Sequence, residues 1–145
     1  MIRKTNEHDL ESMLDIWLSA SIKAHDFVPA KFWTSQVEAM RTIYLPASEH
    51  YVFEIESKVV GFYACYENTL AAIFVTPELQ GKGIGKQLLN HAKNQRPSLT
   101  LSVYKENEAS CQFYRSQGFS VISEQRDAHT GHLEYTMVWE KAKQP

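Results

Sequence analysis

The stretch LAAIFVTPELQGKGIGKQLL, from Leu70 to Leu89, is the most informative part of this chain. It begins with the apolar run Leu70–Val75, which is too apolar to alternate and therefore predicts a strand near the centre of a sheet. A turn is predicted at Thr76-Pro77, and a helical pattern follows three closely spaced glycines. Each glycine inside a helix lowers helix stability by about 0.8–1 kcal/mol relative to alanine. Three glycines at the start of a helix therefore indicate that the backbone there must remain free of side chains.

A strand that leads into a glycine-rich helix start favours phosphate, because free N–H groups and the positive end of the helix dipole meet there. The P-loop pattern is excluded, since Gln80 lies five residues before Gly85 and Gln87 follows Lys86. The dinucleotide fingerprint G-x-G-x-x-G fails in both possible registers. The remaining pattern is Q-x-x-G-x-G, which runs from Gln80 through Gly83 to Gly85.

A second informative stretch, NEASCQFYRSQGF, runs from Asn107 to Phe119. In a helix, residues seven apart return to nearly the same azimuth, so Asn107 and Tyr114 are expected on one face, with Ser110 and Cys111 beside them. Gly118 stands where a left-handed residue usually ends a helix. Taken alone, Tyr114 could equally be a core aromatic residue.

Together, the Q-x-x-G-x-G loop and the N-x-x-S-x-x-F-Y-x-x-x-G-F helix, about twenty residues apart, resemble the two signatures of the GNAT superfamily of N-acetyltransferases. The resemblance covers nearly the whole chain and is strongest to small single-domain bacterial members, some of which acetylate protein lysines. It implies an α/β fold with a mixed, mostly antiparallel central sheet flanked by about four helices. It also implies acetyl-CoA as co-substrate and no metal.

The resemblance assigns roles to residues of both stretches. Tyr114 is the expected general acid, and backbone N–H groups near Phe74 and Val75 are expected to polarise the thioester carbonyl. The residues expected against the cofactor are Phe74, Val75, Gln80, Gly81, Lys82, Gly83, Ile84, Gly85, Lys86 and Asn107.

Deprotonation of the acceptor amine is the larger chemical task. A lysine-like amine with a pKa of about 10.4 costs roughly 4.6 kcal/mol to present in neutral form at pH 7. Many family members use a strand glutamate as base, but Ser102 occupies one such position here. Glu67 is the leading candidate for the base, and His25 is the next because an unperturbed histidine titrates in the useful range. A solvated strand-end carboxylate is an equally valid interpretation of Glu67.

The acceptor pocket is expected to involve aromatic residues and one histidine from the first helices and a later strand. These candidates are His25, Phe27, Trp33 and Tyr104, although aromatic residues at helical spacing more often belong to the core. His129 and His132 form no expected metal site, because no third ligand is suggested.

Apolar periodicity predicts the element order β-α-α-β-β-β-α-β-α-β-β within one domain over residues 1–145. The first helix carries its apolar stripe from Leu10 to Ser21, and a second runs from Pro29 to about Thr42. A hairpin is predicted around Ser57, and two closing strands at residues 119–124 and 134–139.

The composition sets further limits. A net charge of −2 gives no reason to expect nucleic acid or an anionic membrane as partner. Cys65 and Cys111 lack metal-ligand spacing and are expected to be buried free thiols. The N-terminus contains no apolar signal segment, so a cytoplasmic location is expected. The protein is further expected to be a monomer or a homodimer.

Three functions remain open at this stage. The first is an acetyl-CoA-dependent N-acetyltransferase in which a primary amine, of a protein lysine or N-terminus, attacks directly in a ternary complex. The second is an acetyltransferase for a small-molecule amine such as a polyamine, an amino acid or an antibiotic. The third is an acyl-CoA-binding regulatory or sensor module with weak catalysis. Nothing in the sequence identifies the acceptor or the acyl preference beyond acetyl.

Overall fold

The apolar and alternating runs of the sequence form seven strands in a computed structural model that describes residues 1–141. The strands are β1 (Ile2–Lys4), β2 (Glu49–Ile55), β3 (Lys58–Tyr66), β4 (Thr69–Val75), β5 (Ser98–Tyr104), β6 (Ser120–Arg126) and β7 (Leu133–Glu140). They join into one sheet in the order β1-β2-β3-β4-β5-β7-β6. The central position predicted for the Leu70–Val75 run is therefore confirmed.

Helices cover both faces of this sheet. They are α1 (Leu10–Ala24), α2 (Ala30–Ser35), α3 (Val37–Ala39), α4 (Ile84–Asn94) and α5 (Glu108–Ser116). The single helix predicted from Pro29 to about Thr42 is divided, since α3 runs on into a π-helical turn at Met40–Tyr44. In this turn the Leu45 N–H donates to the Met40 carbonyl, and Leu45 enters the core with 2% of its surface exposed.

All neighbouring strands are antiparallel except β4 and β5, which run parallel. These two strands pair only at Thr69 and Thr100. The pair lies near the start of each strand, so β4 and β5 separate toward their C-terminal ends, Val75 and Tyr104. The resulting wedge in the sheet is the main feature that positions the site described below.

The core has one part on each face of the sheet. On one face, α4 and α5 pack through Leu88, Leu89 and Cys111. On the other face, α1 and α2 pack through Trp17 and Trp33. All of these residues are buried, so each face has its own apolar layer. That residues 1–145 form one domain stays a prediction.

The predicted turn between β2 and β3, the left-handed residue after α5 and the buried free cysteines are confirmed. Glu56 and Ser57 both have positive φ values at the β2–β3 turn, and Gly118 follows α5 with a φ of 92°. Cys65 and Cys111 are free and buried. Within residues 1–141, no helix has the length and apolar character needed to cross a membrane, and no group of three or more potential ligand side chains is arranged around a metal position.

Gly61 of β3 allows β4 and α4 to approach closely, because a Cβ there would lie 3.0 Å from the Phe74 carbonyl oxygen and 3.2 Å from Leu88. We therefore expect Gly61→Ala to lower the free energy of unfolding by about 1–3 kcal/mol through overpacking. Urea denaturation measures this change. Gly85→Ala is the control, since its added methyl group would meet nothing closer than 3.9 Å; equal stability of the two variants would contradict the prediction.

Candidate functional site

The wedge between β4 and β5 opens into a cleft of about 610 Å³. Most of the residues predicted to contact the cofactor line it: Phe74, Val75, Gln80, Gly81, Gly83, Ile84, Gly85, Lys86 and Asn107. Tyr114, the predicted acid, and three of the predicted acceptor residues, His25, Trp33 and Tyr104, line it as well. Residues from both sequence signatures therefore meet in one cavity.

At one end of the cleft, the glycine loop leads into α4. Gly81 and Gly83 have φ values of 80° and 83°, and Gly83 is the N-cap of the helix. Only glycine adopts this left-handed conformation without strain. Side-chain space is open at both positions, so backbone conformation rather than crowding requires glycine. The loop presents backbone N–H groups at a helix N-terminus, an arrangement that binds phosphate.

Gln80 connects this loop to two other elements. Its Nε2 donates to the Val75 carbonyl at 3.1 Å, and its Oε1 accepts from Lys23 Nζ at 3.2 Å. Lys23 lies in the last turn of α1 and joins Lys86 as a cation beside the loop. Sequence reasoning missed Lys23, because nothing along the chain indicates that the end of α1 reaches this loop.

The edge of β4 that faces the wedge is free of strand partners beyond Thr69. The Thr76 N–H donates to the Val60 carbonyl in β3 at 2.8 Å. Since successive amides of an antiparallel strand point to opposite sides, the Phe74 amide also points to β3, while those of Ile73 and Val75 point into the wedge. Of the two expected donors, Val75 is therefore available and Phe74 is not.

Tyr114 lies on α5 with its ring packed against Phe113 and Phe119. Its hydroxyl makes no hydrogen bond to any described residue. Burial, with a smaller contribution from the Cys111 thiol, raises the pKa of Tyr114 above its ordinary value. The phenol is therefore fully protonated at neutral pH and able to donate.

Asn107 links the two sides of the cleft. Its Oδ1 accepts from the Ser110 N–H at the start of α5, at 3.3 Å, so its Nδ2 faces His25 Nε2, at 3.2 Å. Because Nε2 accepts this hydrogen bond, the proton of the neutral imidazole lies on Nδ1. Burial lowers the pKa of His25 to about 4. His25 is therefore uncharged at neutral pH and a weak base, which argues against the base role considered for it.

Aromatic rings surround His25 on the side of the cleft formed by α1, α2 and β5. Its ring centroid lies 5.2 Å from that of Trp33 and 5.0 Å from that of Tyr104. Phe27 does not line the cleft; it packs edge-to-face on Tyr104 at 5.5 Å and on His132 at 5.0 Å. Phe27 supports this aromatic group from behind instead of lining the pocket.

Glu67 lies far from the cleft in which a general base would have to act. It lies in the β3–β4 turn with a φ of 54°, its side chain is exposed, and its backbone carbonyl accepts from Arg96. This turn precedes Thr69, at the closed end of the wedge, whereas the cleft opens at the other end of β4. The expectation that Glu67 is the base is thus corrected. Lys82 is exposed and does not line the cleft; its role stays a prediction.

Sequence reasoning also missed Glu134, at the start of β7, which lines the cleft opposite Tyr104. Strand alternation shows that Glu134 and Thr136 share a face, but not which face this is. That depends on the pairing of β7 with β5, which are not consecutive in the chain.

Three buried side-chain atoms of described residues lack a hydrogen-bond partner, and all three belong to residues that line the cleft: Ser21 Oγ, His25 Nδ1 and Trp33 Nε1. An unpaired buried polar group costs about 1–3 kcal/mol. The unpaired groups on the α1–α2 side of the cleft therefore lower the free energy of unfolding.

Comparisons with known proteins agree with this geometry. A family model described as "Acetyltransferase (GNAT) domain" matches residues 46–121, a little over half of the chain. The chain is 34% identical to the peptidyl-lysine N-acetyltransferase YiaC of Escherichia coli K12 over 123 residues, which is 84% of each protein. It is 31% identical over 121 residues to the peptidyl-lysine N-acetyltransferase YjaB of the same organism, covering 83% of this chain and 82% of YjaB.

Solved structures share the fold. The solution structure of apo YjaB from Escherichia coli superimposes with a TM-score of 0.84 at 27% identity, and 98% of each chain is covered. The PaiA N-acetyltransferase from Thermoplasma acidophilum, solved in complex with coenzyme A, gives a TM-score of 0.80 at 20% identity, with 97% of this chain and 98% of PaiA covered.

The unpaired Ser21 hydroxyl supports a stability prediction. Ser21 is completely buried, so we expect Ser21→Ala to raise the free energy of unfolding by about 1 kcal/mol or more. Ser19→Ala is the matched control on the same helix, because its exposed hydroxyl already donates to the Asp15 carbonyl at 2.9 Å. Chemical denaturation compares the two, and a loss of stability in Ser21→Ala would contradict the prediction.

Proposed function

The chain belongs to the GNAT acetyltransferase family, and from that premise we propose that it transfers an acetyl group from acetyl-CoA to the side-chain amine of a protein lysine. The predicted family and fold are confirmed. The names of YiaC and YjaB, both peptidyl-lysine N-acetyltransferases, support lysine as the acceptor. The observation that carries the proposal is the wedge between β4 and β5, which places a glycine loop, a free strand edge and Tyr114 around one cleft.

Acetyl-CoA supplies an activated acetyl group as a thioester. This chain has room for acetyl-CoA at the glycine loop, because the space beside Gly81 and Gly83 is open. The backbone N–H groups of these residues would hold the pyrophosphate. Lys23 and Lys86 would add positive charge beside them. The wedge-facing amides of Ile73 and Val75 would hold the pantetheine arm. Binding of coenzyme A by PaiA, which has the same fold, supports this assignment.

Two donors on this chain suit the chemistry at the thioester. The Val75 N–H would stabilise negative charge that develops on the carbonyl oxygen, a contribution typically of about 3–4 kcal/mol. The Tyr114 hydroxyl would donate its proton to the departing sulfur. Because burial keeps the pKa of Tyr114 above its ordinary value, the proton is present over the whole neutral range.

The two substrates would approach from opposite faces of the sheet. The glycine loop belongs to the face of α4 and α5, whereas His25, Trp33 and Tyr104 belong to the face of α1 and α2. The wedge joins these faces. The amine would therefore attack the thioester directly in a ternary complex, without a covalent acetyl-enzyme intermediate.

Tyr114→Phe tests the acid. Since the hydroxyl has no hydrogen bond within residues 1–141, its removal should leave stability and acetyl-CoA binding unchanged. We expect kcat for a lysine peptide to fall by about 10²-fold or more, the usual contribution of a general acid. Release of CoA thiol measures turnover, and a thermal shift with acetyl-CoA measures binding.

The exposed Tyr66→Phe serves as the control for this experiment. Wild-type turnover in Tyr114→Phe over pH 6–9 would show that another group protonates the sulfur. Stabilisation by acetyl-CoA without turnover on any amine would favour a sensor module, and turnover only with polyamines, amino acids or antibiotics would identify a small-molecule enzyme.

Gly85→Ala tests the glycine loop. The added methyl group would lie 3.9 Å from Phe113 and Val75, which is ordinary contact, so the fold does not require glycine there. We expect unchanged or slightly higher stability, because alanine favours helix, together with at least tenfold weaker acetyl-CoA binding. Titration calorimetry with acetyl-CoA checks this, and unaltered affinity would show that the cofactor does not approach the backbone at Gly85.

A further inference from the structure

The charges that line the cleft are divided between its two ends. Among residues 1–141, Lys86 and Glu134 line the cleft, and no other lysine, arginine, aspartate or glutamate does. Lys86 lies in the first turn of α4, beside the glycine loop. Glu134 lies at the start of β7, beside the aromatic group. An anionic cofactor suits the first end, and the second end suits a cation.

Glu134 lies on the acceptor side of the sheet. It pairs directly with Tyr104, whose ring packs with the core of α1 and α2. Its neighbour Tyr135 packs with the opposite core, that of α4 and α5. Because successive side chains of a strand point to opposite faces, Glu134 and Tyr104 lie side by side on the α1 face. The negative charge of Glu134 contributes to raising the pKa of Tyr104, after burial and the effect of Asp127.

The Glu134 carboxylate has capacity to bind another group. Its Oε1 accepts one hydrogen bond from Gln125 Nε2 at 3.2 Å, and no donor among the described residues reaches its Oε2. Asp127, the other carboxylate nearby, does not line the cleft, and its Oδ2 already accepts from the Tyr104 hydroxyl at 2.7 Å and from Thr130 Oγ1 at 2.9 Å. A cation that enters this end of the cleft would therefore find its free acceptor on Glu134.

The neighbouring rings favour a cation with an apolar stem. The centroids of Trp33 and Tyr104 lie 6.4 Å apart, and the His25 ring lies 5.2 Å from the first and 5.0 Å from the second. Aromatic faces attract ammonium groups and also pack against methylene chains. The uncharged His25 adds no repulsion. Cationic side chains nearby are engaged elsewhere: Lys105 is paired with Glu124 at 2.9 Å, and Arg126 donates to the Gly131 carbonyl.

We propose that Glu134 binds the ammonium group of the acceptor and, with Trp33 and Tyr104 around the methylene stem, selects a cationic unbranched amine such as a lysine side chain. This inference rests on the proposed acetyl transfer to lysine. Glu134 acts here as an acceptor-binding residue: it holds the amine beside the thioester, and the ammonium group gives one proton to solvent water before the neutral amine attacks.

The test compares Glu134→Gln with wild type, using acetyl-CoA and a terminally blocked peptide that contains one lysine. We expect KM for this peptide to rise about 10- to 100-fold, the loss of one charge-assisted hydrogen bond. The thermal shift with acetyl-CoA should be unchanged. The aminooxy analogue of lysine is uncharged at pH 7, so KM for a peptide that contains it should rise less than threefold in Glu134→Gln. Glu134→Asp should recover part of the affinity for the lysine peptide.

Glu140→Gln is the matched control, since Glu140 lies on the same strand and face about 20 Å away. Its kinetics should equal those of wild type. A KM for lysine peptide within twofold of wild type in Glu134→Gln, or an equal loss with the aminooxy peptide, would overturn the inference and leave the proposed function intact. A wild-type protein that binds acetyl-CoA but acetylates no lysine peptide would overturn the proposed function, and the inference with it.

Discussion

The site depends on a single constraint in the sheet: β4 and β5 are parallel neighbours that pair only at Thr69 and Thr100. A parallel pair that ends after one residue leaves backbone groups of both strands without partners, which is costly unless something else binds them. On β4 these groups include the Val75 amide. The same separation makes room for the cleft and exposes it to both faces of the sheet, so strand geometry and substrate access have one cause.

The glycines show how differently the fold and the site constrain this chain. Gly61 is required by packing, since the Phe74 carbonyl and Leu88 leave no space for a Cβ. Gly81 and Gly83 have ample space but need a left-handed backbone, and Gly85 has neither requirement. A residue that the free protein does not require is best explained by the ligand. The loop therefore carries a signal of cofactor binding that is separate from the resemblance to a family.

Most of the glycine-loop end of the cleft could be predicted from the sequence, because it is encoded by short contiguous patterns: an apolar strand, a glycine loop and a capped helix. The errors concern residues whose position depends on pairing. Glu67 is near β4 in the chain, but a parallel wedge opens at the C-terminal ends of its strands, and Glu67 precedes the N-terminal end. Glu134 could not be found, because β7 inserts between β5 and β6. The contact of Lys23 with Gln80 likewise depends on the packing of α1.

The proposed acceptor end of the cleft is built differently, and this difference bears on the proposed specificity. It combines the side chains of Trp33 in α2, Tyr104 in β5 and Glu134 in β7 with that of His25, which directly follows α1. It also contains the unpaired polar atoms of Ser21, His25 and Trp33, so its residues are not those that would stabilise the fold best. Under the proposed function, substitutions there would change the acceptor without disturbing the strand edge or the glycine loop. A chain whose proposed cofactor site lies in the backbone and whose proposed acceptor site lies in scattered side chains can therefore change its substrate while it retains its fold.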